Sequence, residues 1–104
     1  MNKKITLAVL LSGAGTNLQA IVDCINKEKL QADIKIVISN NENAFGLERA
    51  KKSGLKSLYI DHQSFKDREA YDQKLIQEIS KENVDFIVLA GFMRILGSNF
   101  VKSF

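Results

Sequence analysis

The chain has 104 residues, and 15 Lys+Arg against 12 Asp+Glu give a net charge of +3, too small to mark a nucleic-acid partner by itself. With 45% hydrophobic and 26% charged residues, the composition excludes a disordered chain, a collagen-like repeat and a coiled coil. The length limits the sequence to one domain or part of one.

The first element expected is a strand at Ile5–Leu11, buried on both faces because its residues are nearly all apolar rather than alternating. This is the longest mainly apolar run, and it is far short of the roughly 20 residues that cross a bilayer. Lys3 and Lys4 ahead of it imitate a secretory signal, but the run leads into a Gly-rich turn and an amphipathic helix rather than a cleavage site. A first helix is expected over residues 17–29, with Leu18, Ile21, Val22 and Ile25 on one face. Thr16 followed by Gln19 fits a capping box at its start.

Residues 34–39 form the second strand and residues 44–53 the second helix, which turns Ala44, Leu47 and Ala50 inward and ends at Gly54, suited to a left-handed cap. The third strand is expected at residues 56–60. The third helix spans residues 67–82, with Tyr71, Leu75, Ile76 and Ile79 inward and Glu78, Lys81 and Glu82 solvated. Residues 85–90 are a fourth strand, again near-continuously apolar, and Phe100, Val101 and Phe104 lie in a fifth helical segment. No Pro, low-complexity linker or internal repeat marks a boundary. Strands alternating with helices predict an α/β fold: a doubly wound, mostly parallel sheet with helices on both faces. Ligands of such sheets bind beyond the carboxyl ends of the strands, here near residues 12–17, 39–43, 61–67 and 91–97.

Of these segments, residues 12–17 carry the clearest chemistry. Gly13 and Gly15 let the backbone turn tightly and approach a ligand, and the N–H groups opening the first helix favour an anion. A dinucleotide fingerprint would need Gly or Ala where Leu18 stands and an acidic residue where Ser39 and Asn40 stand; a P-loop would need Gly-Lys-Ser/Thr. What survives is a single phosphate, with Thr16 and Asn17 adding side-chain hydrogen bonds, against a turn whose glycines serve only packing. Arg94, among Phe92, Met93, Ile95 and Leu96, suits a flat or anionic ligand, although such a cluster is more often core. Arg68 begins the third helix, where the helix dipole disfavours a cation; this slightly favours receipt of an anion over plain surface charge. His62, the only histidine, has no identifiable nucleophile or orienting carboxylate and reads as an exposed loop residue; Asp61 beside it is likewise given no catalytic role. Ser12 and Cys24 have no visible base partner. The single Cys24 forms neither an internal disulfide nor a metal cluster, so a reducing cytoplasm is expected and zinc chemistry is not.

Taken together, Leu10-Leu11-Ser12-Gly13-Ala14-Gly15-Thr16-Asn17-Leu18-Gln19-Ala20-Ile21, Ile38-Ser39-Asn40, Gly46-Leu47 and Leu89-Ala90-Gly91-Phe92-Met93-Arg94-Ile95-Leu96 resemble, in order and spacing, the phosphoribosylglycinamide formyltransferase family of purine synthesis. The resemblance covers essentially the whole chain and only the amino-terminal half of the family's domain, so residues 1–104 are expected to be a single incomplete formyltransferase domain. It implies that Gly15, Thr16 and Asn17 bind the phosphate of glycinamide ribonucleotide, and that Arg68, Met93, Arg94, Ile95 and Leu96 contact the folate. The implied reaction is attack of the glycinamide amine on the formyl carbon of 10-formyltetrahydrofolate, through a tetrahedral intermediate and with no metal. The family's catalytic Asn and His, in an Asn-Ile-His-Pro segment, and its Asp fall beyond Phe104, so no catalytic residue is assigned here and the 104 residues alone are expected to be inactive. His62 does not match that segment.

The nearest rival is formyltetrahydrofolate deformylase. That family usually carries an amino-terminal regulatory domain, whereas the first strand here starts at Ile5, and it prefers Ala-Lys-Tyr-Met-Arg where this chain has Ala90-Gly91-Phe92-Met93-Arg94. A formyltransferase of initiator transfer RNA is disfavoured by the modest charge and the Gly-Thr-Asn turn. A non-catalytic sugar-phosphate-binding fragment is the alternative from outside the enzymes.

Overall fold

Alternating runs of strand-forming and helix-forming sequence produce β1 (Ile5–Leu11), α1 (Thr16–Asn26), β2 (Ala32–Ser39), α2 (Phe45–Lys52), β3 (Ser57–Tyr59), α3 (Arg68–Glu82) and β4 (Phe86–Leu89) in a computed structural model that describes residues 4–61 and 65–90. The strands form one sheet in the order β3-β2-β1-β4, with every pairing parallel. β1 therefore sits between β2 and β4, which is why Leu7 through Leu11 are all buried. A parallel sheet needs cover on both faces, and strand alternation supplies two apolar surfaces. Leu7, Val9 and Leu11 pack with Leu18, Val22, Leu47 and Ala50 of α1 and α2. Ala8 and Leu10, with Ile36 and Ile38, pack with Tyr71, Leu75 and Ile79 of α3. The expected doubly wound α/β sheet with helices on both faces is the observed one.

The first helix differs from expectation at both ends. It begins at Thr16 with Gly15 as its N-cap, and no side chain caps it. The expected capping box is absent because Thr16 already lies inside the helix, while the Gln19 side chain donates to Asp23 and accepts from Arg49. The helix also stops at Asn26 rather than Lys29, because Glu28 adopts a left-handed conformation at φ 61°. The N–H of Glu28 then reaches the carbonyl of Ile25, and that of Lys29 the carbonyl of Cys24, a Schellman closure built without glycine. The same closure ends α2 where expected: Gly54 stands at φ 73°, with its N–H on Lys51 and the N–H of Leu55 on Ala50.

Strand bounds shift by one or two residues, β2 starting at Ala32 and β3 covering only Ser57–Tyr59. Ile76 is half-buried where its helical neighbours Tyr71, Leu75 and Ile79 are fully enclosed. β4 pairs with β1 alone among the described residues, and Phe86 and Leu89 remain more than half exposed. The fifth helical segment lies outside the described residues.

Candidate functional site

All strands run parallel, so their carboxyl ends share one edge, and the turn after β1 lies at its centre. Gly15 stands at φ 79°, the left-handed region, and is buried. A Cβ there would come within 2.5 Å of the Gly46 Cα, so the residue has neither the conformation nor the room for a side chain. Gly46 is confined less severely, since its own Cβ would meet the ends of the Leu11 side chain at 2.7 Å rather than backbone. Two facing glycines thus bring the starts of α1 and α2 into backbone contact.

That contact fixes which way the turn's peptides face. The carbonyl of Ser12 accepts from Asn41 Nδ2 at 3.3 Å, that of Gly13 from the Gly46 N–H at 3.0 Å, that of Ala14 from Arg49 Nε at 2.8 Å, and that of Gly15 from the Gln19 N–H at 2.9 Å. In a planar trans peptide the C=O and the following N–H point in opposite directions. Anchoring four successive carbonyls therefore aims the N–H groups of Gly13, Ala14, Gly15 and Thr16 the other way. Among the described residues, none of these N–H groups nor that of Asn17 meets a protein acceptor. The first turn of α1 holds no acidic residue, and Thr16 and Asn17 are exposed. N–H groups without a protein acceptor among the described residues, the positive end of a helix dipole and two accessible polar side chains are features that favour an anion.

The second strand braces this turn. Ser12 Oγ donates to Asn40 Oδ1 at 2.6 Å in a buried contact between the ends of β1 and β2. An amide oxygen takes no proton, so this contact does not activate Ser12 as a nucleophile. The Asn41 N–H donates to Ser39 Oγ at 3.0 Å, and the Asn43 N–H to Asn41 Oδ1 at 3.1 Å, folding residues 39–43 into a tight polar turn that presents the Asn41 amide to Ser12.

Gly15, Thr16 and Asn17 are thus contiguous at the open start of α1. Arg68 is the first residue of α3, on the same edge of the sheet by topology; its side chain, together with His62, Met93, Arg94, Ile95 and Leu96, lies outside the described residues. Asp61 is half-buried after β3 and contributes, after partial burial, to raising the pKa of the Tyr59 hydroxyl; Glu42 adds to the same shift. Cys24 is a half-buried free thiol within α1. Among the described residues, no three His, Cys, Asp or Glu side chains are grouped to hold a metal ion, and no helix is long and apolar enough to cross a membrane. Asn40, Asn41 and Arg49 escaped assignment from sequence. The first two fall in the segment 39–43 that the sequence marks as ligand-side without giving them a role, whereas Arg49 shares its helix with Lys51 and Lys52 and carries no local mark.

Comparison with known proteins gives a consistent picture. The model of the formyl transferase family matches residues 5–104. Phosphoribosylglycinamide formyltransferase of Escherichia coli is 46% identical over 98 residues, covering 94% of this chain and 46% of that protein. The trifunctional purine biosynthetic protein adenosine-3 of Drosophila pseudoobscura is 48% identical over 98 residues, 92% of this chain and 7% of that protein. In structure, the phosphoribosylglycinamide formyltransferase of Coxiella burnetii superposes with a TM-score of 0.93 at 42% identity, over 96% of this chain and 47% of that one. Glycinamide ribonucleotide transformylase 1 of Symbiobacterium toebii gives 0.93 at 37% identity, over 97% and 48%. The chain thus spans about half the length of the single-function relatives it matches, or less.

Proposed function

The chain belongs to the formyl transferase family, and from that premise we propose that it carries the ribonucleotide-phosphate end of a phosphoribosylglycinamide formyltransferase. The substrates of this reading are glycinamide ribonucleotide and 10-formyltetrahydrofolate, the formyl group passing to the glycinamide amine. Gly15, Thr16 and Asn17 hold the phosphate: main-chain N–H groups supply directional donors, and the Thr16 hydroxyl and Asn17 amide add side-chain donors. The observation that carries the reading is the start of α1, which has neither a side-chain cap nor an acidic residue in its first turn, beside a turn whose carbonyls are all anchored elsewhere. An ion held there fixes the far end of the ribonucleotide, which turns a bimolecular search by the amine into a restricted one.

The folate side rests on Arg68, which opens α3, and on Met93, Arg94, Ile95 and Leu96, which follow β4 in sequence. When bound, 10-formyltetrahydrofolate supplies the formyl carbon; the apolar neighbours of Arg94 suit its flat ring system and the arginines its carboxylates. The reading places the protein in the cytoplasm, in keeping with a lone cysteine, and needs no metal, nucleic acid or membrane.

Calorimetric titration of glycinamide ribonucleotide into the protein tests the phosphate assignment. Thr16→Ala and Asn17→Ala should each weaken binding by roughly tenfold, as expected for loss of one hydrogen bond to a charged group. Unchanged affinity in both variants would remove the turn from the site.

A further inference from the structure

We infer that Arg49 is a positioning residue for this phosphate turn, acting through the Ala14 carbonyl rather than by touching the ligand; the inference rests on the reading of residues 15–17 given above. Of the four carbonyl anchors, two are main-chain N–H groups fixed by the fold, Gly46 to Gly13 and Gln19 to Gly15. A third, from the Asn41 amide, is neutral and longer, at 3.3 Å. Of these four anchors Arg49 alone is charged, and its 2.8 Å contact is the shortest.

Its geometry is restrained from three sides. Nε donates to Ala14, Nη1 donates to Gln19 Oε1 at 3.3 Å, and the guanidinium carbon stands 5.1 Å from the centre of the Phe45 ring. A planar fork held by two hydrogen bonds and placed over an aromatic ring has few ways to turn away from the Ala14 carbonyl. The peptide so held is the one whose other end is the N–H of Gly15, the N-cap of α1. Polarising that carbonyl also makes the attached N–H a better donor, because a peptide hydrogen-bonded at oxygen strengthens its partner bond at nitrogen. The half-exposed Phe45 therefore has a use in the site's supporting layer: it is the platform on which the guanidinium lies.

The test separates aiming of the turn from mere support of α2. Affinities of glycinamide ribonucleotide and of the same compound lacking its phosphate are measured on the full chain for the parent protein, Arg49→Met and Arg49→Lys, with thermal midpoints alongside. The ratio of the two affinities isolates the contribution of the phosphate. Arg49→Met should cut that ratio roughly tenfold, the size of one hydrogen bond to a charged group. Arg49→Lys, which restores a charge and one donor without the fork, should recover only part of it. Equal weakening of both ligands, with the ratio preserved, or a ratio unchanged in Arg49→Met, would overturn the role of Arg49. If Arg49→Met does not fold, Arg49→Lys with an unaltered ratio overturns it equally. A parent protein that shows no preference for the phosphorylated compound would instead fell the phosphate reading itself, and this inference with it.

Discussion

The starts of α1 and α3 face the same edge of the sheet and are finished in opposite ways. α3 brings its own anion: Asp67 is the N-cap, and its carboxylate accepts from the Ala70 N–H at 2.9 Å, with Glu69 also in the first turn. α1 has a glycine at the same position, no side-chain cap and no acidic residue in its first turn. One helix end is closed by the chain's own carboxylate, and the other has no closing side chain among the described residues. Under the proposed function, the difference teaches that a helix N-terminus takes a binding role when the residues able to close it are withheld, not simply because it is a helix N-terminus.

The largest effect should come from closing the space that makes the open end possible. Gly15→Ala combines the strain of a side chain at φ 79° with a Cβ 2.5 Å from backbone, where the obstacle has no rotamer to give way. Destabilisation of about 3 kcal/mol is expected from left-handed strain plus overpacking, read by urea unfolding. Loss of phosphate-dependent binding should accompany it, because α2 must move and takes the anchors Gly46 and Arg49 with it. A variant of near-parental stability would show that the two helix starts are not locked against each other.

A smaller, paired effect would sharpen the contrast between the two ends. Asp67→Ala should cost about 1 kcal/mol of stability by removing a cap, and leave the affinity for the phosphate of the ribonucleotide unaltered. Thr16→Asp should do the reverse. A carboxylate in the first turn of α1 stabilises the helix by about 0.5 kcal/mol through its dipole, yet it repels the ligand's anion and weakens phosphate-dependent binding by at least roughly tenfold. Parallel denaturation and titration of the two variants decide the matter; a Thr16→Asp protein that binds the phosphate normally would mean the anion sits elsewhere.

What could be read from the sequence follows the range over which each signal acts. β1, α1 and the turn between them are written in neighbouring residues: an unbroken apolar run, two glycines, then the helical spacing of Leu18, Ile21, Val22 and Ile25. The Gly54 terminus was equally local. The capping box failed because Thr16 and Gln19 have the right spacing but the helix start is set by Gly15 meeting Gly46, thirty-one positions away and invisible to a window around the turn. The early end of α1 was hidden because Glu28 carries no compositional mark of a left-handed residue. Arg49 was missed because its partner Ala14 lies far away in sequence, and only the fold makes them neighbours. The helix start at Gly15, Thr16 and Asn17 was legible because a Gly-rich turn and the helix that follows it are written in consecutive residues.

The mildest expected effect concerns the body of α3, which is self-sufficient along its length as well as at its start. Glu78 accepts from Lys74 at 2.9 Å and lies 3.3 Å from Lys81, and its side chain is mostly covered whereas the lysines are largely in solvent. The hydrogen bond from Lys74 leads in holding its carboxyl below the ordinary value of 4.5; burial opposes the shift, and Lys81 reinforces it. A carboxyl whose pKa is lower folded than unfolded favours the folded state once it is ionised in both, so its contribution is fully present above the unfolded value and disappears as pH falls through the folded one. Against a Glu78→Gln variant, the parent should therefore be more stable by a constant amount above about pH 5, with the difference vanishing on acidification below the ordinary carboxylate range. Solvent screening of the exposed lysines keeps that amount under about 1 kcal/mol. The amino-terminal half of α1 has no comparable ion pair among the described residues, so the acid-sensitive difference should appear in the amide exchange of α3 while α1 is unmoved. Equal acid sensitivity in both helices would show that Glu78 acts on the whole fold and not on its own helix.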